Sequence, residues 1–134
     1  MQDIQGWLLR ARGGNQKIDA LDELIERMRS RSEGGGGVGG GSGGSRKPGG
    51  LERFAASIET YEAKRAEAER IRDEVYEAIC TLSNQQWQTA LIRYYIVGQE
   101  WHDVAAKLGV DRRTVNRWHG YALCELKKIL LNVP

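Results

Sequence analysis

The most legible chemistry in this chain lies in DRRTVNRWH, positions 111–119. Asn116 and Arg117 follow Arg112 and Arg113, respectively, by four residues, one helical turn, so on a helix the pairs stand one above the other. Arginine forks match the O6 and N7 edge of guanine. Asparagine matches the N6 and N7 edge of adenine, and both side chains also bind phosphate oxygens. The pattern points to double-stranded DNA read in the major groove. Lys107, just upstream, adds a point charge suited to phosphate. The competing reading of these five residues is an exposed helix surface with no partner.

Other chemistries find little support. No Ser/His/Asp, paired-carboxylate or metal-ligand constellation is visible, so neither enzymatic activity nor a cofactor is expected. Cys80 and Cys124 lack C-x-x-C spacing, and two cysteines make a disulfide framework improbable, so free thiols in a reducing setting are expected. Cys80, His102, His119 and Cys124 match no zinc-ligand spacing. His102 reads as exposed polar surface. Lys47 follows a glycine run but precedes Pro48, where a phosphate-cradling loop needs Ser or Thr opening a helix. No apolar run approaches the roughly 20 residues of a membrane span, and no signal pattern opens the chain. The expected location is the cytoplasm.

The elements that position the basic run follow from spacing. Counting Trp101 as position one, a helix-turn-helix needs a small residue at five and glycine at nine; Ala105 and Gly109 are there. It needs apolar residues at four, eight, ten, fifteen and eighteen. Val104, Leu108, Val110, Val115 and Trp118 occupy those places. Asp111 caps the second helix, whose reading part spans 112–120. Its apolar stripe continues through Ala122, Leu126, Ile129 and Val133, which predicts a helix to about Leu131 packed back on a helix at 84–97. Ser83 with Gln86 reads as a capping box for that earlier helix. Trp87, Leu91, Tyr94 and Tyr95 give it one apolar face, and Val97-Gly98 ends it.

Two longer stripes precede this region. Trp7, Ala11, Gly14, Ile18, Leu21, Ile25 and Met28 alternate steps of four and three, a heptad seam. The register is unbroken across Gly13-Gly14, which predicts one helix running through residues 3–31. Residues 51–82 repeat the pattern: Leu51, Phe54, Ile58, Tyr61, Arg65, Ala68, Arg72, Val75, Ile79, Leu82. Two helices of equal length suit an antiparallel hairpin, with a parallel homodimer as the competing arrangement. Between them, residues 33–50 hold eleven glycines and read as a flexible linker. Charge is segregated. Residues 51–82 carry five basic and eight acidic side chains, net −3; residues 83–134 carry seven basic and four acidic, net +3. The basic excess lies with the helix-turn-helix, as a nucleic-acid footprint would.

Residues 82–130 resemble region 4 of bacterial primary-class sigma factors. The shared features are Arg93-Tyr94-Tyr95, Gly98, Trp101-x-x-Val104-Ala105, Leu108-Gly109-Val110 and Val115-x-Arg117. The chain is more similar still to phage-encoded sigma-like transcriptional regulators of the ArpU and RinA type, through Val115, Arg117, His119, Ala122 and Leu123 and the opening Trp7-Leu8-x-Arg10-Ala11-Arg12. That resemblance implies a regulator of phage or prophage late genes that binds DNA and contacts bacterial RNA polymerase. Two positions depart from the family pattern. Glu100 and Asp111 stand where Ser or Thr is usual, placing carboxylates where phosphate would approach.

The expected architecture is therefore all-α: a long coiled-coil-like helical hairpin followed by a sigma region 4-like helix-turn-helix domain. Its segments are an N-terminal helical segment at 1–32, the linker at 33–50, a charged helix at 51–82 and the DNA-reading domain at 83–134. A homo-oligomer through the long helices is compatible with the stripes. The alternative functions are a small terminase-like DNA-packaging protein and a sigma-like protein-interaction module that binds no DNA.

Overall fold

The computed structural model describes residues 3–34 and 50–131. Every regular element among them is helical. We label them α1 (Ile4–Leu9), α2 (Gly14–Gly34), α3 (Gly50–Ile79), α4 (Gln85–Leu91), α5 (Trp101–Leu108) and α6 (Arg112–Leu130). A π-helical turn, Ile92–Val97, continues α4. The glycine-rich residues 35–49, on which most of the linker expectation falls, lie outside the described residues, as does Val133 at the end of the α6 stripe. None of the helices is long and apolar enough to cross a membrane.

The chain divides into two compact units, one of Met1–Asn15 with Ala68–Pro134, the other of Gln16–Glu67. In the second unit the α2 stripe is the inward face, with Ile18, Leu21 and Ile25 buried and Met28 half-buried. Ile58, Tyr61 and Arg65 are half-buried on α3. Arg65 donates to Asp22 at 2.6 Å, and Arg29 pairs with Glu62. These two pairs run in opposite sequence directions along the two helices. They also explain an arginine in an apolar stripe: its stem covers apolar surface while its head reaches a carboxylate.

The first unit holds the larger core. Leu8, Val75, Ile79, Leu91, Tyr95, Val104, Val115 and Leu126 are fully buried, drawn from every helix of the unit. Ala78, Leu82, Ala90 and Ala122 fill the spaces between them. The small residues matter because interiors pack at crystal density and leave little room for larger ones. α6 packs against α1, α4 and α5. Arg72, the other arginine of the α3 stripe, donates to Asn15 Oδ1 at 3.2 Å and to Asp73 at 3.0 Å.

The first helix does not run through the glycines. Residues 10–13 form turns between α1 and α2, with Gly13 at φ +80°. Ala11 N and Arg12 N each bond the carbonyl three residues back, at 3.1 Å, tightening the end of α1. Left-handed backbone costs glycine little, so Gly13 is where the chain can turn. The stripe still faces inward across the break, since Ala11 within the turn and Gly14 at the start of α2 are both buried. The benefit is long-range: the turn carries Arg12 to the joint before α5.

Candidate nucleic-acid interface

The interface is built on the α5–turn–α6 segment. α5 ends at Gly109 in left-handed backbone, φ +70°. Val110 N bonds Ala105 O at 3.1 Å and Gly109 N bonds Ala106 O at 3.2 Å. These are the two reverse bonds of a Schellman cap, and they satisfy carbonyls that the helix end leaves without donors. Val104 and Ala105 are buried below the turn, Leu108, Val110 and Trp118 half-buried around it, and Val115 is buried across from it.

Asp111 opens α6. Its Oδ1 accepts from Thr114 N at 2.8 Å. The hydrogen bonds from Thr114, helped by the nearby Arg113 and Arg117 charges, hold its carboxyl below its ordinary pKa. Asp111, expected from the sequence to set a carboxylate where phosphate would approach, is thus engaged as a cap, stabilising the end of α6 that carries the arginines. Arg112, Arg113, Asn116, Arg117 and Lys107 are all exposed. Among the described residues, no carboxylate forms an ion pair with any of the four cations. The five residues come from the last turn of α5 and the first two turns of α6. His102 is also exposed, 3.3 Å from Asp103.

The support beneath α6 differs from the expected capping box. Asn84, not Ser83, caps α4, its Oδ1 accepting from Gln86 N at 2.8 Å and Trp87 N at 3.2 Å. Ser83 is engaged elsewhere: its N–H and hydroxyl donate to the Glu125 carboxylate at 2.8 and 3.1 Å. That contact ties the later part of α6 to the α3–α4 connection. The Ser83–Gln86 spacing favoured Ser83 locally, but Ser83 is bonded to Glu125, 42 residues away, and the adjacent Asn84 takes the cap.

The helix expected over 84–97 is also irregular. Gly98 N and Gln99 N both bond Arg93 O at 3.0 Å, and Gly98 takes φ +94°. Widening the helix over Ile92–Val97 turns two consecutive tyrosines inward. Tyr94 stacks on Trp101, centroids 4.0 Å apart and planes 6° from parallel. Tyr95 is fully buried, and its hydroxyl lies 2.6 Å from His119 Nε2. Burial pushes the Tyr95 hydroxyl pKa up and the His119 imidazole pKa down. The phenol therefore stays protonated and the imidazole neutral, and the hydrogen bond between them ties α6 to the π-helical turn.

Arg12 completes the support and had no site role in the sequence reading. Its Nη1 donates to Tyr94 O at 2.6 Å and to Gln99 O at 2.9 Å, and its Nη2 to Glu100 Oε1 at 2.8 Å. Its guanidinium carbon lies 3.9 Å from the Tyr94 ring centroid. No periodicity links residue 12 to residues 94–100. Cys80 and Cys124 are free and exposed, and among the described residues no group of three metal-ligating side chains occurs. No family model, no curated protein and no solved structure matches the chain.

Proposed function

We propose that this chain is a sequence-specific DNA-binding transcriptional regulator with a sigma region 4-like helix-turn-helix. In this reading α5 lies across the duplex backbone and the start of α6 enters the major groove. Arg112, Arg113, Asn116 and Arg117 meet base edges and phosphates, and Lys107 meets phosphate. The observation that carries it is the cluster of three exposed arginines and an asparagine on the first two turns of a capped helix, the arginines forming no ion pair among the described residues. An exposed face of this composition, presented by a left-handed turn over a packed core, suits a major groove. α2 and α3 form an antiparallel hairpin, a reading supported by the Asp22–Arg65 and Glu62–Arg29 pairs. The hairpin supplies the surface for RNA polymerase or for a homo-oligomer, and the genes controlled are late genes of a phage or prophage.

Selection from a random-sequence duplex library tests the function directly. Enrichment of a defined motif, bound more weakly as salt rises, is the expected result. Absence of any enriched sequence would sink it. A ring of many subunits in light scattering would favour the packaging reading instead. One observation favours a protein-interaction module as the second reading. Trp87, Tyr121, Cys124, Glu125 and Lys128 line a shallow, mostly apolar cleft beside α6, and Tyr121 is half exposed. Capture of RNA polymerase with no mobility shift on any duplex would select that reading.

A further inference from the structure

We propose that Arg12 is the positioning residue that sets the pose of α5 in the DNA-reading unit. The inference rests on the function proposed above and names a residue outside the reading face. One guanidinium engages four groups of the joint that leads into α5: the Tyr94 carbonyl, the Tyr94 ring, the Gln99 carbonyl and the Glu100 carboxylate.

Each contact answers a local need. The N–H groups of Gly98 and Gln99 both go to Arg93 O, so the Tyr94 carbonyl takes its donor from Arg12. Glu100 is the N-cap of α5 but makes no side-chain cap bond, because its carboxylate is held by Arg12 instead. The Tyr94 ring has Arg12 at 3.9 Å and Trp101, the first residue of α5, at 4.0 Å. One face cannot hold both groups, so the ring lies between them. Arg12 thereby grips the chain on both sides of Gly98, where left-handed backbone would otherwise leave a hinge. α5 in turn sets α6, because Val104 and Ala105 pack in the same core as Val115. The planar five-donor fork is what allows one side chain to reach three acceptors and lie on a ring.

The test compares the full-length wild type with Arg12→Ala and Arg12→Lys, at a temperature where circular dichroism shows equal helix content. Lysine keeps the charge but lacks the fork, and it serves if the alanine variant folds poorly. Affinity is read on a duplex selected by the wild type. Both variants are expected to bind more weakly, the alanine variant by at least about tenfold. The salt slope should stay unchanged, since Arg12 meets no phosphate in this proposal. Without DNA, the indole N–H resonance of Trp101 should move in both variants, and that of Trp118 should follow through the core that α5 and α6 share. Wild-type affinity in both variants, or an unmoved Trp101 resonance, overturns the proposal. So does a salt slope reduced by about one, which would make Arg12 a phosphate contact. Failure of the wild type itself to bind any duplex sinks the DNA-reading function alone. The Trp101 resonance then still reports whether Arg12 holds α5.

Discussion

Arg113 and Arg117 stand one helical turn apart on an exposed face, and Asp111, whose carboxyl feels both charges, is already committed to a backbone N–H. A forked contact to a base is worth about 1–3 kcal/mol of discrimination. Arg113→Ala or Arg117→Ala should therefore weaken specific binding by about that amount and relax preference at one base position. Lys107→Ala should weaken all sequences alike and lower the salt slope by about one. Duplex titrations at several salt concentrations separate the two outcomes, and unchanged affinity in both arginine variants would discard the reading face. Two glycines of the same segment should respond with opposite signs. A Cβ meets nothing within 4 Å at either Gly109 or Gly120, so backbone conformation decides. At φ +70°, Gly109→Ala should destabilise by about 1 kcal/mol. Gly120 lies inside α6, where alanine is the better helix former, so Gly120→Ala should stabilise by about 0.5–1 kcal/mol. Thermal unfolding of the two variants measures the contrast.

At the scale of elements, caps and irregularities decide how α6 is presented. Asn84 satisfies two of the free N–H groups at the start of α4. Asn84→Ala should cost about 1 kcal/mol. Ser83→Ala removes only the hydroxyl bond to Glu125 and keeps the backbone one, so its cost should be smaller. Chemical denaturation of both variants tests the assignment, and a larger loss for Ser83→Ala would refute it. The π-helical turn has a comparable role. A regular helix would separate Tyr94 and Tyr95 by about 100° around its axis. The wider turn lets one reach Trp101 and the other His119. Apolar periodicity marked both tyrosines as inward-facing but carried no sign of the widened turn. That feature arises because two side chains, 7 and 24 positions downstream, must be met at once.

For the molecule as a whole, the half-buried His119 gives the clearest dependence on conditions. Burial lowers its pKa in the folded state, while the unfolded chain keeps the ordinary value near 6.5. Below about pH 6.5 the unfolded state therefore binds a proton that the folded state resists, and stability falls as pH falls through that window. The melting temperature should be lower at about pH 5.5 than at about pH 7.5, and His119→Gln should flatten the difference. An equal fall in the variant would exclude His119 as the cause. Glu74, held below its ordinary value by Arg10, and Asp111 act separately. Their stabilisation is present above ordinary carboxylate pKa values and is lost only in stronger acid.

The sequence by itself determined the all-helical class and the inward stripes of α2 and α3. It also marked Val104, Ala105, Leu108 and Val115 as core, Gly109 as a left-handed turn and Asp111 as a cap. These features are local, since helical periodicity, turn conformation and capping are settled within a few residues of each position. Only the tertiary structure decided that the first helix breaks at residues 10–13, that Asn84 caps α4, and that α4 widens into a π-helical turn. It alone brought Arg12 to Tyr94, Gln99 and Glu100. In each case a partner distant in sequence outweighed the local preference. A carbonyl, carboxylate or ring that needs its partner selects among backbone alternatives of nearly equal energy, and periodicity carries no information about which partner arrives.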